Sequence, residues 1–268
     1  MKKSKIPIVL TIAGSDSGSG AGIQADLKTF SSLGVYGTTA ITVVTSQNTK
    51  RVRDVSALDL SMISSQIDCL VEDFDLRAIK TGMLFTPDIV KIVSDKAKEY
   101  KWEKLIVDPV MVASSGDTLL QSEAIDEYKN SLIPISFAVT PNIPELATLL
   151  NEKIITINDI KNGCVKIRKL GVKNIIVKGG HDNNNKDSID ILYSDDTFYE
   201  YSLPRLKSKN NHGTGCTFAA AFTANIALGE NIKQSFINSK DYVWNAMSND
   251  LLIGNGNGPV DHFYKLRK

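Results

Sequence analysis

Short runs of apolar residues alternate with longer stretches in which apolar and polar positions recur at helical spacing, almost from end to end of the 268-residue chain. The runs from Ile8 to Ala13, Thr39 to Val44, Leu105 to Val107, Ala138 to Thr140 and Ile175 to Val177 are apolar on both faces, as strands covered from two sides must be. Between them, the stretches from Ile23 to Leu33, Ile63 to Val71, Asp88 to Tyr100, Glu123 to Leu132 and Ile157 to Leu170 read as amphipathic helices. This alternation predicts right-handed βαβ crossovers, and so an α/β fold: a mostly parallel sheet with helices on both faces. Late in the chain, Ser188 to Tyr193 and Thr197 to Leu203 flank the turn cluster Ser194-Asp195-Asp196, which predicts an antiparallel hairpin added to that sheet. The small-residue run from Thr217 to Leu228 predicts one more helix. No repeat, Pro-rich linker or low-complexity tract divides residues 1–268, so a single domain is expected; Asp182 to Lys186 reads as an exposed loop.

In an open α/β sheet, ligands gather where the carboxyl ends of the strands meet the following loops. The unusual sequences fall there: Gly14-Ser15-Asp16, Thr81-Gly82-Met83 after a short strand, Asp108-Pro109-Val110 and Pro141-Asn142. Carboxylates at strand exits commonly hold Mg²⁺ beside nucleotide phosphates, which makes Asp108 and Glu145 candidates. Glu145 also reads as the cap of a helix opening at Pro144. Lys178, before Gly179-Gly180, could place a positive charge near phosphate or simply be solvated. The loop Gly14 to Gly22 permits close backbone approach, yet fits neither GxGxxG nor the P-loop. Asp26, one turn into the next helix, reads from position alone as a partner of the helix dipole.

The most informative stretch is His212-Gly213-Thr214-Gly215-Cys216, directly before the small-residue helix. Two glycines and a threonine at a helix start leave backbone N–H groups unpaired, and the helix dipole adds a positive end: an anion hole suited to phosphate. Cys216 on the first turn is expected to have a lowered pKa, as a base or nucleophile would. Taken alone, the stretch also reads as a glycine turn followed by a buried cysteine.

Composition narrows the classes. A formal charge of +1 with no basic block argues against a nucleic-acid surface. Cys69, Cys164 and Cys216 are far apart and odd in number, so neither a disulfide framework nor a zinc site is expected, and a reducing compartment fits. His181, His212 and His262 lack metal-ligand spacing. Trp102 and Trp244 read as packing residues. After the basic start, Ile6 to Ala13 is too brief for a signal or membrane segment, and a soluble, cytoplasmic protein is expected. An Asp/His/Cys inventory could mimic a cysteine hydrolase, but no spacing favours acyl transfer.

Taken together, the blocks Thr11-Ile12-Ala13-Gly14-Ser15-Asp16, Gly20 to Phe30, Gln47-Asn48-Thr49, Lys80-Thr81-Gly82-Met83 and Asp108-Pro109-Val110-Met111 resemble the hydroxymethylpyrimidine/phosphomethylpyrimidine kinases. So do Thr140-Pro141-Asn142 with Glu145, Lys178-Gly179-Gly180-His181, the HGTGCT run and Gly258-Pro259-Val260, in order from about Pro7 to Phe263. The resemblance implies a three-layer α/β/α ribokinase-like fold and a thiamine-biosynthesis enzyme that uses ATP and Mg²⁺. Such an enzyme phosphorylates the pyrimidine alcohol and then its monophosphate. It implies Cys216 as general base, where many ribokinase-like enzymes have Asp, and Gly213, Thr214, Gly215 and Cys216 as the hole for the transferring phosphoryl. Glu145 and Asp108 would organise Mg²⁺ and phosphate, Lys178 would neutralise ATP charge, and Gln47 would bond the aminopyrimidine edge. Gly14, Asp26, Met83 and Val110 would line the same pocket, and Val112 to Asp117 would form a lid.

The family often forms dimers, so a homodimer is compatible with this reading. The nearest rival is a pyridoxine/pyridoxal kinase of the same Gly-Thr-Gly-Cys branch. Its members tend to carry a lid cysteine and to lack the Gln-Asn-Thr block; here the lid reads Val112-Ala113-Ser114 and Gln47 is present. A non-catalytic binding protein would lack the base or the carboxylates, and a sugar or nucleoside kinase would usually have Asp in place of Cys216.

Overall fold

The structure, a computed structural model, describes residues 6–112, 119–181, 186–249 and 251–267. From Ala113 onward the expected lid lies outside the described residues, as do residues 182–185 of the expected exposed loop.

Among the described residues nine strands form one sheet: β1 (Ile8–Asp16), β2 (Tyr36–Gln47), β3 (Val52–Ala57), β4 (Leu76–Thr81), β5 (Leu105–Val107), β6 (Ala138–Val139), β7 (Asn174–Val177), β8 (Asp187–Ser194) and β9 (Thr197–Pro204). Their order is β3-β2-β1-β4-β5-β6-β7-β8-β9. The six strands from β2 to β7 in that order are parallel, and β8 and β9 add the expected antiparallel hairpin beyond β7. β5, β6 and β7 are buried at every position, which is why their sequences show no polar alternation. An antiparallel edge strand, β3, is absent from the sequence reading. Its Val-Arg-Asp-Val-Ser-Ala run is polar and largely exposed, as an edge tolerates, so it carries little apolar signal.

Two helical layers cover the sheet. On one face, α2 (Leu60–Asp73), α3 (Pro87–Glu99), α5 (Ile143–Leu150) and α6 (Ile157–Arg168) bury Ile63, Ile67, Val90, Val93, Leu146, Leu149 and Ile167 against Leu10, Ile12, Leu105 and Val139. On the other, α1 (Gly22–Ser32), α7 (Thr214–Leu228) and α8 (Ile232–Ser248) bury Phe30, Phe218, Phe222 and Phe236 against Val9, Ala78, Ile106 and Ile176. This is the expected three-layer α/β/α arrangement. α7 is buried almost all round, and Ala219, Ala220, Ala221 and Ala224 give it the slim profile needed between the sheet and its neighbours. The single helix expected from Glu123 to Leu132 is instead a short α4 (Ala124–Glu127) that widens through a π turn at Tyr128–Leu132 and tightens at Ile133–Ile135. Pro134 lies there and has no N–H with which to continue a regular ladder. No helix of the described residues is long and apolar enough to cross a membrane.

Because β1, β4, β5, β6 and β7 run parallel, their last residues and the loops after them share one end of the sheet. Asp16, Gly82, Asp108, Asn142 and Lys178 meet there, and a parallel bridge pairs Asn142 with Lys178.

Candidate active site

Three groups of side chains occupy that end. The first is built on α7. Gly213 stands before the helix with φ +80° and closes against the loop after β1: a Cβ on it would lie 1.9 Å from the Gly20 carbonyl oxygen. Only glycine accepts both that backbone and that approach. The N–H groups of Gly215 and Cys216 have no hydrogen-bond partner among the described residues, and no acidic side chain occupies the first turn. Lys178 reaches over this turn, its Nζ 3.3 Å from where a side chain on Gly215 would begin. These N–H groups and the Lys178 ammonium thus stand together at the start of α7.

The second group joins Asp108, Glu145 and Lys178. Lys178 Nζ lies 2.8 Å from Asp108 Oδ1 and 3.9 Å from Glu145 Oε2. Thr140 donates its hydroxyl to Asp108 Oδ1 at 3.0 Å, while Asp108 Oδ2 is buried without a partner. Glu145 caps α5: it accepts from the Asn142 N–H at 2.7 Å, and Asn142 accepts from the Glu145 N–H at 2.8 Å. Burial pushes its carboxyl up to about 7; Lys178 opposes this, Asp108 adds to it, and the N–H groups of Asn142 and Met111 oppose it.

The third group lies beneath the first. Asp26 and Lys80 are both fully buried, with Lys80 Nζ 2.8 Å from Asp26 Oδ2 and the Thr11 hydroxyl donating to the same oxygen at 2.6 Å. Asp26 therefore does more than face a helix dipole: it pairs with Lys80 inside the fold, and, fully buried, it does not reach a pocket surface as expected; its Oδ1 has no partner. Burial would depress the Lys80 ammonium, but Asp26 holds it above its ordinary value, with Cys216 and Asp108 contributing. Cys216 itself departs from expectation. Burial pushes its thiol up to about 11, with Lys80 opposing and Asp26 and Asp108 reinforcing the rise. Desolvation and two nearby carboxylates outweigh the helix end and a single cation, so the lowered pKa expected from the sequence does not hold.

The remaining expected residues lie at the same end of the sheet. Gly14 ends the buried part of β1, with Met83 Sδ 3.4 Å from where its Cβ would be; Val110 is half-buried beside Asp108, to whose carbonyl it donates at 2.9 Å. Gln47 ends β2 with its amide nitrogen 3.4 Å from His212 Nε2. Lys80, Thr11, Asp16 and His212 are the polar groups that sequence reasoning assigned no role. The one available signal was a lysine and an aspartate inside otherwise apolar or small-residue segments.

A family model described as phosphomethylpyrimidine kinase matches residues 16–261. A hydroxymethylpyrimidine/phosphomethylpyrimidine kinase from Bacillus subtilis is 46% identical over 254 residues, covering 95% of this chain and 94% of that one. Among solved structures, the ADP complex of a Bacillus subtilis pyridoxal kinase superposes with a TM-score of 0.91 at 32% identity, over 98% of this chain and 100% of that one. A phosphomethylpyrimidine kinase from Clostridium difficile superposes with a TM-score of 0.80 at 41% identity, over 90% and 99% of the two chains. The fold is ribokinase-like, and the chain belongs to the phosphomethylpyrimidine kinase family.

Proposed function

We propose that this enzyme transfers the γ-phosphoryl group of ATP to 4-amino-5-hydroxymethyl-2-methylpyrimidine and then to the resulting monophosphate, in thiamine biosynthesis. The observation that carries the reading is the meeting of the unpartnered Gly215 and Cys216 N–H groups with Lys178 and the free Asp108 Oδ2 at one end of the sheet. Those donors receive the charge of a transferring phosphoryl, and fixed in place they need no reorganisation as that charge develops. Gln47 supplies the paired donor and acceptor that match an aminopyrimidine edge, with Gly14, Met83 and Val110 flanking the ring.

Among the described residues no group of three His, Cys, Asp or Glu side chains forms a metal cage. A buried, unpartnered carboxylate oxygen on Asp108 beside Glu145 does fit Mg²⁺, which keeps waters and is held by one or two carboxylates together with phosphates. When bound there it would neutralise phosphate charge, and Asp108 and Glu145 would hold it.

As the hydroxymethyl oxygen bonds to the γ-phosphorus and the bond to ADP breaks, the hydroxyl proton passes to the Cys216 sulfur. Lys80 is the charge that favours the thiolate needed to receive it. With its thiol pushed up to about 11, Cys216 is mostly protonated near neutrality, so turnover depends on the small ionised fraction.

The test is ATP consumption with the pyrimidine alcohol, its monophosphate and pyridoxal as alternative acceptors. Conversion of the monophosphate to the diphosphate is expected. Turnover of pyridoxal alone would instead support a vitamin B6 kinase, the reading favoured by the 0.91 superposition on a pyridoxal kinase.

A further inference from the structure

His212 lies between Gln47 and the anion hole. Its Nε2 is 2.8 Å from Asp16 Oδ2 and 3.4 Å from the Gln47 amide nitrogen. The shorter contact, to a carboxylate, fixes the proton on Nε2, since an unprotonated nitrogen there would face Asp16 lone pair to lone pair. That nitrogen then cannot accept from Gln47, and the amide is left with donors to offer a ligand.

Asp16 does more than hold this ring. Its Oδ2 also accepts from the Gly20 N–H at 3.0 Å and the Ala21 N–H at 2.8 Å, and its Oδ1 accepts from the Gly18 N–H at 2.7 Å. The carboxyl is buried, which alone would raise its pKa, yet the His212 bond and the Ala21 and Gly18 N–H groups hold it below its ordinary value. The loop it organises returns to Gln47 through Ser17, whose hydroxyl donates to the Gln47 carbonyl at 2.9 Å and lies 2.8 Å from the Gln47 N–H. The same loop closes on α7: a Cβ on Gly20 would lie 2.2 Å from His212 Cδ2, and Gly213 packs on the Gly20 carbonyl. Gln47, the loop at 16–21 and the turn at 212–213 are therefore one hydrogen-bonded unit. One end faces the expected pyrimidine edge, and the other sets the first turn of the anion hole.

We infer that Asp16 and His212 are positioning residues that couple pyrimidine binding at Gln47 to nucleotide binding at the Gly213–Cys216 turn. This rests on the functional reading above. A pyrimidine that fixes Gln47 also fixes the loop and the turn, so a nucleotide arriving second has less left to order, and its affinity rises.

The experiment is calorimetric titration of the Mg²⁺ complex of ADP, with and without saturating hydroxymethylpyrimidine. It uses the parent protein, His212→Ala and His212→Gln. The parent is expected to bind ADP about fivefold or more tightly when the pyrimidine is present, the lower range of ordinary coupling. His212→Ala should bind each ligand singly yet bring that ratio close to one, and His212→Gln, whose amide can still donate to Asp16, should restore part of it. A His212→Ala protein with the parent's ratio overturns the inference, as does a parent whose ratio is one. If His212→Ala does not fold, Asp16→Asn provides the comparison: its one oxygen still accepts from Gly20 and Ala21, while the Gly18 acceptor and the charge that orients the imidazole are lost. A parent that binds ADP but not the pyrimidine overturns the substrate reading as well, which separates the two failures.

Discussion

Glu145 is held at a thermodynamic disadvantage that can be measured. Its carboxyl moves from an ordinary 4.5 to about 7 because burial and Asp108 outweigh Lys178 and two backbone N–H groups. A carboxyl whose pKa is raised on folding binds more protons in the native than in the unfolded chain between those two values. Stability therefore falls as pH rises through that window and stays reduced above it. The loss saturates at about 3 kcal/mol, with a steepest slope of about 1.4 kcal/mol per pH unit. Glu145→Gln removes the titration and preserves the cap, because a glutamine at this place can still accept from the Asn142 N–H. Urea unfolding of both proteins at about pH 5 and about pH 8 isolates the effect in the difference between them. Near-equal stability is expected at the lower pH, with the variant ahead by about 2–3 kcal/mol at the higher. Parallel pH dependences in the two proteins would refute the claim that Glu145 titrates near neutrality. Mg²⁺ with ADP should shrink the gap, since a cation at Asp108 and Glu145 favours the ionised carboxyl.

Cys216→Ala should lower turnover by about 10²- to 10⁴-fold while nucleotide affinity is largely kept; near-parental turnover would remove Cys216 from the proton-transfer role. In the parent, kcat/KM should climb with pH across the neutral range, because the thiolate is the minor form below about 11, and Cys216→Asp should flatten that climb. Gln47→Ala should raise the pyrimidine KM about tenfold and leave the affinity for ADP alone, without pyrimidine, nearly unchanged; equal losses in both would count against its assignment. Lys80→Met strands a fully buried Asp26 and should cost about 3–5 kcal/mol in chemical denaturation, and adding Asp26→Asn should recover much of that loss.

What the sequence disclosed and what it hid follow from two different kinds of order. Strands such as Ile106 and Ile176, covered on both faces, leave apolar runs, and loops at strand exits need glycines, prolines and short polar residues. Both signals are local, so the parallel sheet, the hairpin and the positions of Gly14, Asp108, Lys178 and Gly213 could be read directly. β3 is a polar edge strand, and α8 alternates too loosely to stand out from its neighbours. Lys80 and His212 were illegible for another reason. Their partners, Asp26 and Asp16, stand 54 and 196 positions away, and only the tertiary fold sets charge against charge.

The same distinction explains Cys216. Its place on the first turn of a helix argues locally for an acidic thiol, because the N–H groups and the dipole favour the thiolate. The fold sets Asp26 and Asp108 near it and desolvates it in part, and these win over the helix end and Lys80. An aspartate in that place would be ionised already and would add a third negative charge beside those two carboxylates. A thiol stays neutral in most molecules, and only its thiolate fraction can take the substrate proton. The buried Lys80–Asp26 pair is consistent with this: Asp26 offsets much of the Lys80 charge, so the cation near the thiol is a tempered one. A cysteine base and a neutralised lysine thus go together, which makes Lys80, more than the helix end, the group whose loss should slow proton transfer.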